Sequence, residues 1–155
     1  MMGQGDIIFK KLGLHERTDY AKYLLLADED ENIVNGYLLE GEMFSIRIQG
    51  KLAGAILFVF QDETVELKNI ALLPESRGKG IGKEIMRFFI QHYRKEGYLK
   101  MEVGTANSSI GNIAFYQKAG FRISRIVKDF FLQYGERIFE NGIQAVDMIM
   151  FERKL

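Results

Sequence analysis

Thr64-Val65-Glu66-Leu67-Lys68-Asn69-Ile70-Ala71-Leu72-Leu73-Pro74, followed by Arg77-Gly78-Lys79-Gly80-Ile81-Gly82 and Lys83-Glu84-Ile85-Met86-Arg87-Phe88-Phe89-Ile90, is the stretch that decides the fold. The first ten residues are rich in β-branched and large apolar side chains, as a buried strand requires. Pro74, the only proline in the chain, ends that strand because it brings no N–H to a central ladder. Apolar residues at 81, 85, 88, 89 and 93 then recur at helical spacing, with Lys83, Glu84, Arg87, Gln91 and Arg94 on the other side. Gly97 predicts the stop.

Glycines at 78, 80 and 82 let the backbone approach a ligand with no Cβ in between. Free N–H groups and the positive end of the helix dipole favour an anion there, above all a phosphate. A Walker A loop ending at Gly82-Lys83 would need glycine at Arg77 and Ser or Thr at Glu84, so it fails twice. A dinucleotide fingerprint begun at Gly78 or Gly80 would need glycine at Lys83 or Ile85, and fails as well.

Working outward, Met43–Ile48 and Lys51–Phe60 read as two strands of a hairpin turned by Gln49-Gly50. The second is apolar on both parities, as in a strand covered on both faces. Gln61-Asp62 turns the chain into the deciding strand. Beyond Gly97, Leu99–Thr105 alternates with period two, and Asn107-Ser108-Ser109 caps a helix from about Ile110 to Ala119, ended by Gly120. Phe121-Arg122-Ile123 begins another strand. Towards the start, Ile7-Ile8-Phe9 suggests a short strand, Asp19–Ala27 a helix and Asp30–Leu39 a second one. The four acids Asp28–Glu31 read as a solvated helix cap before a cation site. Towards the end, Asn141-Gly142 signals a turn. Ala145–Phe151 reads as a closing strand with Val146, Met148 and Met150 on one face.

Arg77 to Gly82 matches Gln/Arg-x-x-Gly-x-Gly/Ala, placed after Asn69-Ile70-Ala71-Leu72-Leu73-Pro74 and before an amphipathic helix. This resembles the acetyl-CoA motif of the GNAT family of N-acetyltransferases. Tyr116-Gln117-Lys118-Ala119-Gly120-Phe121 resembles the family's second CoA segment, Tyr-x-Lys-x-Gly-Phe. The resemblance is good over Lys51 to Val127 and only positional at the ends. It implies an α/β fold, a single GNAT-like domain over 1–155 with a mixed central sheet flanked by helices. It implies acetyl-CoA as cosubstrate, held by Ile70, Leu72, Arg77, Gly78, Lys79, Gly80, Ile81 and Gly82. The family often carries Asn seven residues before the tyrosine. Here that position is Ser109, with Asn112 nearby, so either side chain is a candidate to meet the CoA arm.

Moving an acetyl group from a thioester to an amine needs a free amine, a home for the oxyanion and a proton for the thiolate. A lysine-like amine, with a pKa of about 10.4, is unprotonated only about once in a thousand molecules at pH 7, so a base is needed. Glu66 is that candidate. Strand parity turns it the same way as Ile70 and Leu72, and several family members carry a catalytic glutamate on this strand. The competing reading is a strand-edge glutamate paired with Lys68 or Lys51. A backbone N–H near Leu72, where family strands bulge and splay, would meet the oxyanion. Tyr116 matches the tyrosine that acts as general acid in many relatives; a packed helix tyrosine is the plainer alternative.

The function expected is acetyl-CoA-dependent N-acetylation by direct transfer, with a non-catalytic acyl-CoA sensor on the same fold as the alternative. Lysine plus arginine equals aspartate plus glutamate at 21 each, which gives no reason to expect nucleic acid or an anionic membrane as partner. The chain has no cysteine, hence no disulfide, thiol nucleophile or cysteine-based metal site. No apolar run approaches a bilayer span and no signal-peptide pattern opens the chain, so a cytoplasmic location is expected. The partner expected is an amine acceptor, small molecule or peptide, and the resemblance adds a homodimer as one assembly. His15 and His92 lie far from either motif and read as surface or helix-face residues. Asp19–Leu39 and Asp129–Asn141 are expected to meet over the acetyl end of the cleft. There Tyr20, Tyr23, Phe130, Phe131 and Tyr134 would supply aromatic walls, and Asp129, Glu136 and Glu140 carboxylates. The alternative makes these rings core and these acids solvated.

Overall fold

The computed structural model describes residues 2–155. Its strands are β1 (Met2–Gln4), β2 (Ile7–Lys11), β3 (Glu42–Ile48), β4 (Lys51–Gln61), β5 (Thr64–Leu72), β6 (Lys100–Ala106), β7 (Arg122–Val127), β8 (Phe139–Glu140), β9 (Ile143–Gln144) and β10 (Met148–Lys154). Its helices are α1 (Ala21–Leu24), α2 (Glu31–Tyr37), α3 (Ile81–Lys95) and α4 (Ile110–Lys118). Eight strands form one sheet in the order β1-β2-β3-β4-β5-β6-β10-β7, and β8-β9 is a separate hairpin. Every neighbour pair in the large sheet is antiparallel except β5–β6. Two of the four two-residue hairpins use left-handed pairs, Gln49-Gly50 at φ 51° and 80° and Asn141-Gly142 at φ 55° and 73°, as type I′ turns demand.

α3 lies on one face of the sheet. Its ring of Phe89 packs against Phe9, Phe44, Phe58 and Tyr93 from three strands and its own helix. His92 belongs to this helix face, stacked on Phe88. The opposite face is covered at β3–β5 by α1 and α2, where Leu24, Val34 and Tyr37 meet Met43, Ala55 and Leu57. Tyr20 and Tyr23 pack against this second core.

Three segments depart from the sequence reading. β1 precedes the expected first strand. The Asp19–Ala27 helix shrinks to the four residues of α1, after a 3₁₀ segment at Leu14–Tyr20. Tertiary bonding overrides local pattern here. The buried Arg17 guanidinium donates to the carbonyls of Leu38, Glu40 and Gly41 and pins the segment to the end of α2. The closing strand begins at Met148, not Ala145. The N–H groups of Val146 and Asp147 instead donate to Asn107 Oδ1 at 2.8 and 3.1 Å, so Val146 is outside the ladder that holds Met148 and Met150.

β5 carries the decisive irregularity. Its register with β4 runs Leu57↔Asn69 and then Phe58↔Leu67, so Lys68 is an extra, bulged residue. A one-residue bulge exchanges the two faces of everything beyond it. Val65 and Leu67 lie in the α3-side core, and Ile70 and Leu72 pack on that same core. Glu66 therefore faces the opposite way, correcting the parity that set it beside Ile70 and Leu72. The bulge also falls four residues before Leu72 rather than near it.

Candidate active site

β5 and β6 pair only over Thr64–Leu67 and Lys100–Val103. Beyond the bulge the strands separate, and the opening becomes a cleft of about 920 Å³. Leu67–Leu72 forms one side and Val103–Ala106 the other. The Leu73 N–H donates to Ala53 C=O at 2.7 Å, so by antiparallel alternation Ile70 and Leu72 turn their N–H groups away from β4, into the opening. The Leu72 carbonyl on that side accepts from Arg77 Nε at 2.9 Å, which folds the arginine back over the strand end.

The glycine loop closes one end of the cleft. Gly78 and Gly80 sit at φ 77° and 74°, and a Cβ built on either meets no protein atom within 4 Å. The space beside them is open and rimmed by the N–H groups of α3, the arrangement a diphosphate needs. Arg77, Gly78, Gly80, Ile81 and Gly82 line the cleft; Lys79 is exposed and does not, and Lys83 stands on the rim instead.

α4 forms the facing wall. Asn112, Phe115, Tyr116 and Ala119 fall at helical spacing along it, with Lys118 beside them. Tyr116 is 6% exposed. Its ring is clasped by Phe115, Phe121 and Phe151. Burial pushes its phenol up to about 12. Ser109 and Asn112 both line the cleft, each with an internal partner: Ser109 Oγ donates to Glu140 at 2.7 Å and Asn112 Nδ2 to Thr105 at 3.3 Å.

On the other face of β5 a second pocket of about 240 Å³ holds Glu66, Asp28, Tyr37, Phe130 and Tyr134. Leu67, Lys68, Gly104 and Met148 line both spaces, so the two meet at the bulge. Burial raises the Glu66 carboxyl above its ordinary range; Lys68, 3.9 Å away, opposes the shift and Glu102 adds to it. The ion pair with Lys68 is the one the sequence offered as the alternative role.

The Asp19–Leu39 and Asp129–Asn141 segments do meet. Asp28 accepts from Tyr134 Oη at 2.7 Å and from Tyr37 Oη at 2.9 Å. Tyr37 in turn accepts from Asn69 Nδ2 at 2.8 Å, which also donates to Leu24 C=O. Phe130, Phe131 and Tyr134 line these spaces, but Tyr20, Tyr23, Asp129 and Glu136 line neither. Of the acid run, Asp30 caps α2 as expected, whereas Asp28 is drawn into the tyrosine network. Asp28, Tyr37 and Asn69 carry no motif in sequence. Phe115 was findable at i+3 from Asn112, and Lys118 at i+3 from Phe115.

This architecture, a sheet parted at a bulge with a glycine loop at one end, is that of an acyl-CoA-dependent transferase. Residues 10–121 match the acetyltransferase (GNAT) family. The uncharacterised N-acetyltransferase YvbK of Bacillus subtilis is 43% identical over 143 residues, covering 90% of this chain and 92% of that protein. A GNAT family acetyltransferase of Elizabethkingia anophelis, solved with acetyl-CoA bound, superimposes with a TM-score of 0.90 at 34% identity, covering 98% and 100% of the two chains. A Bacillus subtilis acetyltransferase in complex with CoA gives 0.83 at 40% identity, covering 96% and 97%. The chain belongs to the GNAT acetyltransferase family. It is an N-acetyltransferase that takes acetyl-CoA as cosubstrate and an amine as acceptor. None of its described helices is long and apolar enough to cross a membrane.

Proposed function

We propose that the acetyl group passes directly from the thioester to the amine across the β5–β6 opening, without a covalent enzyme intermediate. The observation that carries this is the opening itself, entered by the glycine loop and Tyr116 from one face and by Glu66 from the other. Gly78, Gly80 and Gly82 take the diphosphate, Ile70 and Leu72 offer backbone N–H groups to the arm of the cosubstrate, and Ser109 or Asn112 adds a side-chain contact. The oxyanion falls to the first free N–H after the bulge, on Ile70, with Leu72 next along the strand.

Glu66 removes a proton from the entering ammonium, directly or through water. The freed nitrogen attacks the thioester carbon, the carbon–sulfur bond breaks as the Tyr116 hydroxyl donates to the departing sulfur, and the second proton shed by the new amide nitrogen restores the tyrosine through solvent. A carboxyl raised by burial is a stronger base than an exposed one, which suits this role. The acceptor is a free amine, small molecule or peptide, and the reaction runs in the cytoplasm. If a second copy binds, the unpaired outer edge of β7 is the surface it would use. Incubation with acetyl-CoA and a panel of amines tests the transfer: free thiol should appear with an acceptor and not without one. Acetyl-CoA binding with no thiol release from any amine would sink the proposal.

A further inference from the structure

Asp28 is a carboxylate prepared for a cation. Its two oxygens each accept one tyrosine hydroxyl, from Tyr134 and Tyr37. An ionised carboxylate has about four lone-pair sites, so two stay free for another donor. The tyrosines hold it from opposite ends of the chain, and Asn69 fixes Tyr37 from β5. Burial pushes both phenols well above their ordinary range, so they stay donors throughout the working pH range. Asp28 also stands at the junction, since it lines both the main cleft and the second pocket.

Exposed apolar side chains share the main cleft with Asp28. Leu26, Phe131, Ile138 and Phe139 line it. Leu26 is 45% exposed and Phe139 60%. Large apolar side chains left open around a cleft are the mark of a ligand surface rather than of a core. Past Asp28, the second pocket holds Lys68 beside Glu66. A second positive charge on the acceptor would meet that lysine, while Glu66 is committed to the reacting nitrogen.

From this we infer that Asp28 anchors the ammonium of the acceptor and that the acceptor is a monoamine with an apolar body, an alkyl- or aralkylamine, rather than a polyamine. The inference rests on the acetyl-transfer reading of the same site and adds the substrate class to it.

Thiol release by the full chain at fixed acetyl-CoA, with phenethylamine, hexylamine, spermidine and a short peptide with a free N-terminus, tests the class. Phenethylamine and hexylamine should exceed spermidine in kcat/KM by roughly tenfold or more, the size of one lost or gained charge contact. Asp28→Asn should raise KM for phenethylamine by about tenfold with acetyl-CoA affinity unchanged by calorimetry. In case that variant folds poorly, Phe139→Ala, on a ring outside both core clusters, should raise KM for phenethylamine severalfold and leave that for propylamine alone. A preference for spermidine or for the peptide overturns the inference and leaves acetyl transfer standing. So does an unchanged KM in both variants. Silence with every amine, while acetyl-CoA binds, removes the transfer reading and this inference with it.

Discussion

Tyr116→Phe is the most informative single change. The ring is buried among Phe115, Phe121 and Phe151, and phenylalanine keeps every one of those contacts. Among the described residues the Tyr116 hydroxyl has no hydrogen-bond partner, so its removal costs the fold no bond and leaves no buried group orphaned. Stability should change by less than about 0.5 kcal/mol, within the range of innocuous substitutions. Catalysis should change far more. The hydroxyl faces a cleft that is shielded from water once filled, where a donor aimed at developing charge contributes about 2.7–4 kcal/mol, or roughly 10²–10³ in kcat. Because burial pushes the phenol up to about 12, wild-type activity should show no alkaline loss from this group near neutral pH. The assay is thiol release under single turnover, beside calorimetry of acetyl-CoA and a thermal melt. A Phe variant with wild-type kcat would leave Tyr116 as packing. A collapse of acetyl-CoA affinity would refute the catalytic reading differently, by making the hydroxyl a binding contact.

Gly80→Val puts a branched side chain into the open space beside the loop at φ 74°, so acetyl-CoA should bind at least about tenfold more weakly, roughly 1.4 kcal/mol. The strain at that φ should also lower the melting temperature slightly, and unchanged affinity in a folded variant would remove the diphosphate from this loop. Glu66→Gln should abolish the acid limb of kcat/KM, which in the wild type should lie above the ordinary carboxylate range because burial raises this pKa. The stability sign is opposite: a carboxyl raised in the folded state stabilises fully below its unfolded pKa and loses that contribution as pH rises through the folded one. At neutral pH the Gln variant should thus melt no lower than wild type; a lower melt would mean that the Lys68 pair outweighs desolvation. Asn69→Ala removes the bonds to Tyr37 and to the Leu24 carbonyl, which keeps those from the Ala27 and Asp28 N–H groups, so each lost bond should cost about 0.5–1.5 kcal/mol, and a melt within error of wild type would show the amide to be idle.

The deciding stretch was legible because each of its signals is local. A run of β-branched residues, a proline, three glycines and a 3.6-residue period each follow from chemistry within one or two turns of chain. Both left-handed hairpin turns were legible for the same reason, Gln49-Gly50 and Asn141-Gly142 needing only their own φ angles. The N-terminal segment was not, since distant carbonyls capture Arg17 and a 3₁₀ segment over Leu14–Tyr20 precedes a four-residue α1. Nor was the start of β10, which Asn107 sets from 39 residues away.

The candidate site shows the same division more sharply. Alternation along β5 gave the right face for Ile70 and Leu72 and the wrong one for Glu66, because the count crossed Lys68. No side chain announces that bulge; it shows only in the pairing with β4, whose register shifts by one residue there. Yet the error leaves Glu66 better placed for its proposed work. On the Ile70 face it would share the buried core with Leu67 and Val65, where an ionised carboxylate has no partner. On the opposite face it stands in the pocket with Asp28 and Lys68, across the parted strands from the glycine loop. In the proposed arrangement one extra residue separates the two substrates by face, the cosubstrate on the side of α3 and α4 and the amine on the side of α1 and α2. The same bulge ends the pairing with β6 and opens the space in which they meet.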